Sequence, residues 1–343
     1  MEILKKRILV IQTAFLGDCL LTVPFLLRLR IQNPEAEISL VTSAKTGQVF
    51  SSLKCIDALY ILDKRGKHKS LLRTIEFAEE ISRIPFDRLY SLHRSFRTTL
   101  FSFFVKAEEK LGFENASLSF LYNLRVPYKT HVHEIDRNLA FLGEEGFELD
   151  QTPEEFFSFT GEQETKVRDQ IASIGAEDGK LIAIAPGSVW ETKRYPAEYF
   201  REIASVLVNR GCKIAIIGGV EESELAERIL SGAQSQNIFN LCGVFNILES
   251  ILFLKKARML LCNDSAPVHL GFLAGTPVLE IYCSTVPDFG FYPYGKNSGY
   301  ISAALTCKPC GIHGHRACPV GTFDCAVRVT PQMVLDRIDK EFL

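Results

Sequence analysis

The sequence lacks any uninterrupted run of about 20 apolar residues, the length that a membrane-spanning helix requires. Its basic start at residues 5–7 precedes an apolar stretch that Gln12, Gly17 and Asp18 interrupt, and no small-residue cleavage site follows. A secretory signal peptide needs a clean apolar run and such a site. We therefore expect neither a transmembrane helix nor a signal peptide.

Two motifs that many nucleotide-binding enzymes carry are also missing. No Asp-x-Asp occurs, so a diphosphate bridged to the protein by a metal ion is not indicated. The first predicted strand is not followed by Gly-x-Gly-x-x-Gly, and the Gly218-Gly219 pair follows an internal strand. This pattern disfavours a dinucleotide-dependent oxidoreductase.

Neither sign of charge is in large excess, since the formal net charge is −2. This balance argues against a general nucleic-acid-binding protein. The charges are unevenly spread, with 21 Lys and Arg against 15 Asp and Glu in residues 1–143, and 18 against 26 in the rest. The mildly basic first half suits an anionic partner.

The ten cysteines are too scattered for the disulfide framework of a small secreted domain. Six of them lie in or beside apolar segments: Cys19, Cys55, Cys212, Cys242, Cys262 and Cys283. Reduced and buried thiols are the ordinary state of such residues. We therefore expect a cytoplasmic protein.

The chain of 343 residues exceeds one comfortable core and predicts two domains. Short apolar segments alternate with helical patterns, which is typical of α/β parallel sheets covered on both faces. We predict nine strands, at residues 7–12, 38–42, 58–62, 88–92, 110–113, 181–185, 213–217, 259–262 and 278–282. We expect domains at 1–160 and 161–330, and a closing helix at 331–343 that packs back on the first domain.

The first of three polar loops runs from Thr13 to Asp18, directly after the first predicted strand. In open α/β sheets, ligands bind beyond the carboxyl ends of the strands, where helix N-termini point. Gly17 would allow a tight turn, and Asp18 would open the next helix. Taken alone, Asp18 is more simply explained as a helix cap. An ionised carboxylate at that position can also accept a proton from a hydroxyl group.

The second loop covers residues 186–196. Gly187 and Ser188 offer backbone amides and a hydroxyl, while Lys193 and Arg194 bring cationic donors. This combination suits a diphosphate. The plain alternative is a solvated loop with an exposed Lys-Arg pair, and the glycine spacing of a P-loop is absent.

The third loop covers residues 262–269, where Asn263, Asp264 and Ser265 follow a strand and His269 lies on the next helix. Amides and hydroxyls again face the end of a strand, where they suit an anion. An Asx-type turn with a surface histidine is the alternative interpretation.

Together, at these positions in a doubled α/β chain, the three loops resemble those of glycosyltransferase family 9, the lipopolysaccharide heptosyltransferases. The resemblance spans nearly the whole chain and includes the later segments 287–289 (PDF) and 330–335 (TPQMVL). It implies a GT-B fold, in which two Rossmann-like parallel-sheet domains face each other across a cleft that holds the active site. It also implies inverting transfer of a heptose from ADP-L-glycero-D-manno-heptose to the inner core of lipopolysaccharide.

The resemblance further implies roles for single residues. Asp18 matches the proposed base, and Lys193 matches the residue that holds the diphosphate. The positions expected around the donor are Gly17, Ser188, Glu222, Asp264, Ser265 and His269. Glu222 would bind the ribose hydroxyls, with Glu221 as the adjacent candidate. The family often has glycine after the Asp-Ser pair, where this chain has Ala266-Pro267, so the local loop geometry is expected to differ.

On the acceptor side, Arg94, Arg97 and Arg137 are candidates to contact phosphates or the acidic sugar of a lipid A-core oligosaccharide. The charge run at residues 64–69 is predicted to be a solvated loop. A lipid-linked acceptor implies a cytoplasmic enzyme that associates peripherally with the inner face of the cytoplasmic membrane. No cofactor is expected for catalysis, since Lys193, helix N-termini and backbone amides would stabilise the departing ADP.

The C-terminal cysteines form a separate pattern, Cys307-x2-Cys310-x7-Cys318-x6-Cys325. A leading Cys-x2-Cys with two further thiols suits tetrahedral ligation of a structural zinc ion. The spacing is not that of a standard zinc finger, so reduced thiols or one local disulfide are the alternatives.

Other functions remain as alternatives. The nearest is a related GT-B transferase that uses another ADP-sugar, or a different glycan or protein acceptor. A nucleotide-sugar epimerase of the same fold would leave the three loops unexplained. A non-catalytic nucleotide-sugar-binding protein is disfavoured because Asp18 is present.

Overall fold

The computed structural model describes residues 5–176, 179–231 and 236–342. Within these ranges the chain divides into two compact units. The first unit ends at Ser158 and the second continues from Phe159, with the stretch Leu149–Pro153 assigned to the second. The expected domain boundary, between residues 160 and 161, lies close to this division.

The first unit is built on a parallel sheet with the order β3-β2-β1-β4-β5-β6. Its strands are β1 (Arg7–Ile11), β2 (Glu37–Thr42), β3 (Ala58–Ile61), β4 (Phe86–Ser91), β5 (Ala107–Phe113) and β6 (Leu124–Val126). The central strand β1 is apolar on both faces, as a strand covered by helices on each side must be. Because β1 pairs with β2 and β4, its carboxyl end lies where the strand order reverses, the usual place for a ligand.

Six helices follow these strands. They are α1 (Leu16–Leu20), α2 (Val23–Gln32), α3 (Gly47–Ser51), α4 (Leu71–Ile81), α5 (Phe96–Phe104) and α6 (Glu134–Leu139). A short helix, α7 (Pro153–Phe156), lies where the chain divides. Part of the core is formed where Leu9 and Ile11 of β1 pack with Phe77 of α4 and Phe101 of α5. This packing holds the end of β1 in place beneath the loop that carries Asp18.

The second unit repeats the strand order of the first, as β12-β11-β10-β7-β8-β9. Its parallel strands are β7 (Leu181–Ala185), β8 (Lys213–Ile216), β9 (Ile238–Asn240), β10 (Met259–Asn263), β11 (Val278–Tyr282) and β12 (Gly299–Ser302). The strands β7 and β10 are neighbours, so the loops that follow them begin side by side at the reversal point.

The helices of the second unit cover this sheet. They are α8 (Gly161–Ser173), α9 (Ala197–Asn209), α10 (Ser223–Leu230), α11 (Ile247–Leu254), α12 (Pro267–Ala274), α13 (Asp324–Val327) and α14 (Pro331–Glu341). The α/β class predicted from the alternation of apolar segments is confirmed. The strands that the sequence did not indicate are β6, β9 and β12, at the sheet edges, where burial imposes less of an apolar pattern.

The closing helix α14 packs within the second unit. Thr330 caps α14 through its side chain, and Pro331 occupies the first helical position, where a missing N–H costs nothing. Val334, Leu335 and Ile338 are buried in the core of the second unit, where α14 packs against α9. The apolar face of the helix is thus covered within its own unit, and the expectation that residues 331–343 pack back on the first domain stays a prediction. Residue 343 lies outside the described ranges.

Among the described residues, no helix combines the length and the apolar character that crossing a bilayer would require.

The interior strand β11 carries a carboxyl group in the protein core. Glu280 is completely buried, and neither of its oxygens has a hydrogen-bond partner among the described residues. Burial and then the carboxylate of Asp264 raise the pKa of Glu280 well above its ordinary value of 4.5. The folded chain therefore favours the neutral form of this side chain.

This raised pKa predicts a pH-dependent loss of stability. The folded state holds the proton of Glu280 more tightly than the unfolded state, so its contribution is complete below the unfolded pKa and declines as the pH rises towards the folded pKa. Glu280→Gln removes the titration. In urea unfolding, its stability relative to the wild type should increase by up to about 1.4 kcal/mol per pH unit above about pH 5. The exposed Glu224→Gln is the control. Parallel pH profiles for wild type and Glu280→Gln would contradict the prediction.

Candidate active site

Asp18 lies in the short helix after β1, in a different position from the one predicted. Helix α1 begins at Leu16, and its N-cap is Phe15, which makes no side-chain capping bond. Asp18 is thus not the capping residue, and the simplest alternative explanation for this carboxylate is wrong. It stands in the first helical turn, where the helix dipole favours a negative charge. Gly17 is itself helical, so no tight turn depends on it.

A group of hydrogen-bonded side chains ties the loop before Asp18 to neighbouring segments. The Lys64 Nζ donates to the carbonyl of Thr13 (3.0 Å) and to its hydroxyl (2.8 Å). The same hydroxyl lies 3.1 Å from His93 Nδ1 and 3.1 Å from Thr98 Oγ1. Burial and then Arg97 lower the pKa of Lys64 to about 8, and burial lowers the pKa of His93 to about 4. The imidazole is therefore neutral at physiological pH.

The charge run at residues 64–69 is only in part the solvated loop that its composition predicts. The Asp63 carboxylate accepts three backbone amides of this run and folds it into a tight turn. Lys64 consequently points inward to Thr13, while His68 is buried and stacks on Phe77 at 4.2 Å. The other basic residues of the run are exposed. Charge density alone does not show which of these side chains turn inward.

A buried ion pair is electrostatically coupled to Asp18. Arg137 donates to Glu134 Oε2 at 2.9 Å, and both side chains are almost completely buried. Burial and then the negative charge of Asp18 raise the pKa of Glu134 to about 7, although Arg137 opposes the shift. Glu134 therefore belongs to the surroundings of Asp18, and no sequence pattern singled it out.

The three predicted acceptor arginines occupy different environments. Arg94 is exposed, and its guanidinium lies 3.9 Å from the centre of the Tyr128 ring. Arg137 lies 4.6 Å from the same ring centre but is buried. Arg97 donates to two carbonyls of the charge run at 64–69. Arg94 is thus the one of the three that presents its guanidinium openly, whereas Arg137 supports Tyr128 and Glu134 from within.

In the second unit, the loop after β7 folds back on itself. The Ser188 carbonyl accepts a hydrogen bond from Arg194 Nε at 2.8 Å, and Ser188 is buried. Arg194 also pairs with Glu191 at 2.8 Å. Both contacts of Arg194 lie within its own loop, and its role therefore differs from that of Lys193.

Lys193 and Asp264, predicted to contact the donor from two different loops, form an ion pair. The Lys193 Nζ lies 2.6 Å from Asp264 Oδ2, and the two side chains are only 13% and 12% exposed. The hydroxyl of Thr285 donates to the same carboxylate oxygen. An ammonium has three N–H donors, so an anion can bind Lys193 without displacing Asp264.

Asn263 joins the two loops that the sequence showed only separately. Its Nδ2 donates to the Pro186 carbonyl at 2.6 Å, and its Oδ1 accepts the Tyr195 amide at 3.1 Å. The Ser265 hydroxyl adds a bond to the Gly187 carbonyl at 3.1 Å. These bonds hold the ends of β7 and β10 together and so fix the two loops that carry Lys193 and Asp264.

Glu222 lies against the loop after β7. A Cβ atom on Gly187 would lie 2.5 Å from Glu222 Cγ, so this approach requires glycine. Burial raises the pKa of Glu222, while the Gly219 amide, donating at 2.6 Å, opposes the shift. Glu221, the adjacent candidate, is exposed, whereas Glu222 is half-buried.

His269 is buried on the first turn of α12, which rules out the surface histidine of the alternative interpretation. Pro267 occupies the first position of this helix, and Ala266 is its N-cap. The Ala266-Pro267 pair, which departs from the family pattern, thus starts the helix directly after Ser265.

Two residues beyond β11 belong to this group although no motif marked them. Thr285 binds Asp264, as described above. The Ser284 hydroxyl is buried and has no hydrogen-bond partner within the described ranges. It lies near Lys193, because a Cβ atom on Gly314 would lie 3.2 Å from Ser284 Oγ and 3.3 Å from Lys193 Cγ. The signal in the sequence was that these residues directly follow the apolar segment predicted as β11.

All ten cysteines are unpaired thiols, so the predicted alternative of a local disulfide is not realised. The described residues contain no group of three or more His, Cys, Asp or Glu side chains arranged to hold a metal ion. A zinc site formed by Cys307, Cys310, Cys318 and Cys325 therefore stays a prediction from spacing, and the metal content of the purified chain decides it.

Known proteins are similar to this chain in both sequence and fold. The sequence model of glycosyltransferase family 9 (heptosyltransferase) matches residues 74–319. Lipopolysaccharide heptosyltransferase 2 of Salmonella typhimurium is 22% identical over an alignment of 348 positions that covers 97% of each chain.

Two solved structures extend the similarity to three dimensions. A family 9 glycosyltransferase from Veillonella parvula is 25% identical, with a TM-score of 0.82, and the match covers 100% of this chain and 98% of that one. Escherichia coli ADP-heptose lipopolysaccharide heptosyltransferase II is 18% identical, with a TM-score of 0.76 and 98% of each chain covered. The predicted GT-B fold with two Rossmann-like sheets is confirmed.

The matched region contains the loops of Lys193 and Asp264 and covers most of the chain. The enzyme class predicted from the three loops, a glycosyltransferase, is likewise confirmed. The chain belongs to glycosyltransferase family 9 (heptosyltransferase).

Proposed function

We propose that the protein transfers a heptose from ADP-L-glycero-D-manno-heptose to the inner core of lipopolysaccharide, with inversion. The observation that carries the proposal is the Lys193–Asp264 pair, framed by Asn263 where the strand order of the second sheet reverses. Ligands of open α/β sheets bind at this point. Of the proteins named above, those of Salmonella typhimurium and Escherichia coli are lipopolysaccharide heptosyltransferases, and the name of the latter includes ADP-heptose.

In this proposal the second unit binds the donor. Lys193 faces the diphosphate, and the loop amides near Ser188 and Ser265 add neutral donors. Glu222, a carboxylate beside Gly187, accepts hydrogen bonds from the ribose hydroxyls. These donors are fixed before the reaction, so they can stabilise the charge that develops on the departing ADP, which is typically worth several kcal/mol.

The first unit supplies the base. Asp18 accepts the proton of the acceptor hydroxyl while the oxygen attacks the anomeric carbon and the bond to ADP breaks. One displacement of this kind inverts the anomeric centre. Its chemistry requires a carboxylate that stays ionised, which the helix dipole at the start of α1 favours.

The acceptor that we propose is the anionic lipid A-core oligosaccharide. Arg94, with its exposed guanidinium beside Tyr128, is the best placed of the predicted arginines to meet a phosphate or an acidic sugar. Because that acceptor is anchored in lipid, we further propose that the enzyme works at the cytoplasmic face of the inner membrane.

The donor assignment is tested by a screen of nucleotide sugars that measures both thermal stabilisation and turnover. ADP-heptose should stabilise the chain and be consumed in the presence of a heptose-deficient core acceptor. Stabilisation by UDP- or GDP-sugars but not by ADP-sugars would overturn the donor. Transfer to a protein or to an unrelated glycan instead would favour the alternative transferase.

The role of Asp18 predicts a selective loss of chemistry. Asp18→Asn keeps the shape of the side chain but removes the proton acceptor, so kcat should fall by about 10²–10⁴-fold. Binding of ADP, measured by calorimetry, should be nearly unchanged. Asp150→Asn, at an exposed position, is the matched control and should turn over like the wild type. A near-normal kcat in Asp18→Asn would remove Asp18 from the mechanism.

Lys193→Ala should weaken donor binding and slow the reaction together, because the ammonium faces the phosphates in both the ground state and the transition state. A charge-assisted hydrogen bond is worth about 1.5–3 kcal/mol, so ADP should bind roughly 10–100-fold more weakly. The exposed Lys256→Ala is the control. Unchanged affinity for ADP would show that the diphosphate binds elsewhere.

A further inference from the structure

The cysteine-rich segment that follows β12 is bonded directly to the loop of Lys193. Thr192, the residue before Lys193, donates its amide to the His315 carbonyl at 3.1 Å. Its hydroxyl donates to the same carbonyl at 3.2 Å and accepts the His315 amide at 2.8 Å. Thr192 is only 3% exposed, so these bonds are shielded from water.

The same segment has a second attachment, at the end of β11. The Cys310 amide donates to the Ser284 carbonyl at 3.0 Å. The carbonyl of Cys310 lies 2.6 Å from His315 Nε2, within hydrogen-bond distance. Lys308 adds a bond from its Nζ to the Tyr282 carbonyl at 3.1 Å. Residues 307–315 therefore connect the end of β11 to the loop after β7.

These attachments close a ring that includes the ion pair. From Thr192 the chain leads to Lys193, which pairs with Asp264, and Asp264 accepts the hydroxyl of Thr285. Thr285 follows Ser284, from which the backbone bonds of residues 307–315 return to Thr192. The ammonium end of Lys193 is thus fixed by Asp264, and its backbone end is fixed through Thr192.

The ring is closely packed at Gly314. This residue has a φ of +87°, a conformation that side chains rarely adopt. A Cβ atom there would lie 3.0 Å from Thr192 Oγ1, 3.2 Å from Ser284 Oγ and 3.3 Å from Lys193 Cγ. Only glycine lets the segment approach both Lys193 and Ser284 at once.

We propose that residues 307–315 position Lys193 for the donor diphosphate, and that Thr192 is the positioning residue through which they act. The inference rests on the proposed function, in which Lys193 holds the diphosphate. Without the Thr192 hydroxyl, the loop would keep the amide bond to the His315 carbonyl but lose the two hydroxyl bonds that help to fix where the Lys193 side chain begins. The ammonium would then sample more positions, and less of the population would be ready to bind.

The test measures ADP and pyrophosphate binding by calorimetry in single and double variants. Thr192→Val keeps the size of the side chain and removes the hydroxyl, so ADP affinity should fall roughly tenfold. Thr192→Ser restores the hydroxyl and should bind within about twofold of the wild type. Thr322→Val removes an exposed hydroxyl from the same part of the chain and is the control.

A double-mutant cycle separates positioning from general weakening of the fold. If Thr192 acts through Lys193, then Thr192→Val should change ADP affinity by less than about twofold when Lys193 is already alanine. Equal losses with and without Lys193 would overturn the inference, and so would wild-type affinity in Thr192→Val. If Thr192→Val does not fold, Thr192→Ala takes its place in the same cycle, with the same expected pattern.

The outcomes also distinguish the inference from the function on which it rests. A wild-type chain that binds ADP and transfers heptose, with Thr192→Val equal to it, would overturn the positioning role alone. A wild-type chain that binds neither ADP nor pyrophosphate would overturn the diphosphate role of Lys193, and the positioning role with it.

Discussion

The second unit is organised around an ion pair that is almost removed from solvent. Burying two charges costs desolvation free energy, and the cost is offset only when geometry is fixed and further hydrogen bonds are made. The Lys193–Asp264 pair meets both conditions, since Thr285 donates to the carboxylate and Asn263 joins the two loops. A preorganised cation of this kind is what a departing diphosphate requires, because no reorganisation is needed when charge develops.

The second unit keeps a buried pair of charges, whereas burial in the first unit disfavours charge. Around the end of β1, burial shifts ionisable groups towards their neutral forms: the pKa of Lys64 is lowered to about 8, that of His93 to about 4, and that of Glu134 is raised to about 7. Asp18 stands beside these groups at the start of α1. The two sheets share one strand order, but the loops at the reversal point carry the Lys193 ammonium in the second unit and the Asp18 carboxylate in the first.

Much of the fold was predictable from local patterns, because interior parallel strands are buried on both faces and therefore leave continuous apolar runs such as ILVI in β1 and LIAIA in β7. The edge strands β6, β9 and β12 leave no such run and were missed. The packing partner of the closing helix was not predictable for a related reason. The apolar stripe of α14 shows that it must be covered, but it does not show that α9 covers it.

For the site, residue types and strand ends were enough to indicate Asp18, Lys193 and Asp264, since anion-binding and basic groups collect beyond the carboxyl ends of parallel strands. Glu222 was indicated by the resemblance to the family. Their partners depend on contacts between residues far apart in the chain. The pairing of Lys193 with Asp264, the inward turn of Lys64 and the bonds of Thr192 to His315 span between 51 and 123 positions. Such contacts have no local signature, because a side chain's partner is set by how sheets and loops pack in three dimensions. Only the tertiary structure therefore decided which of the charged residues act together.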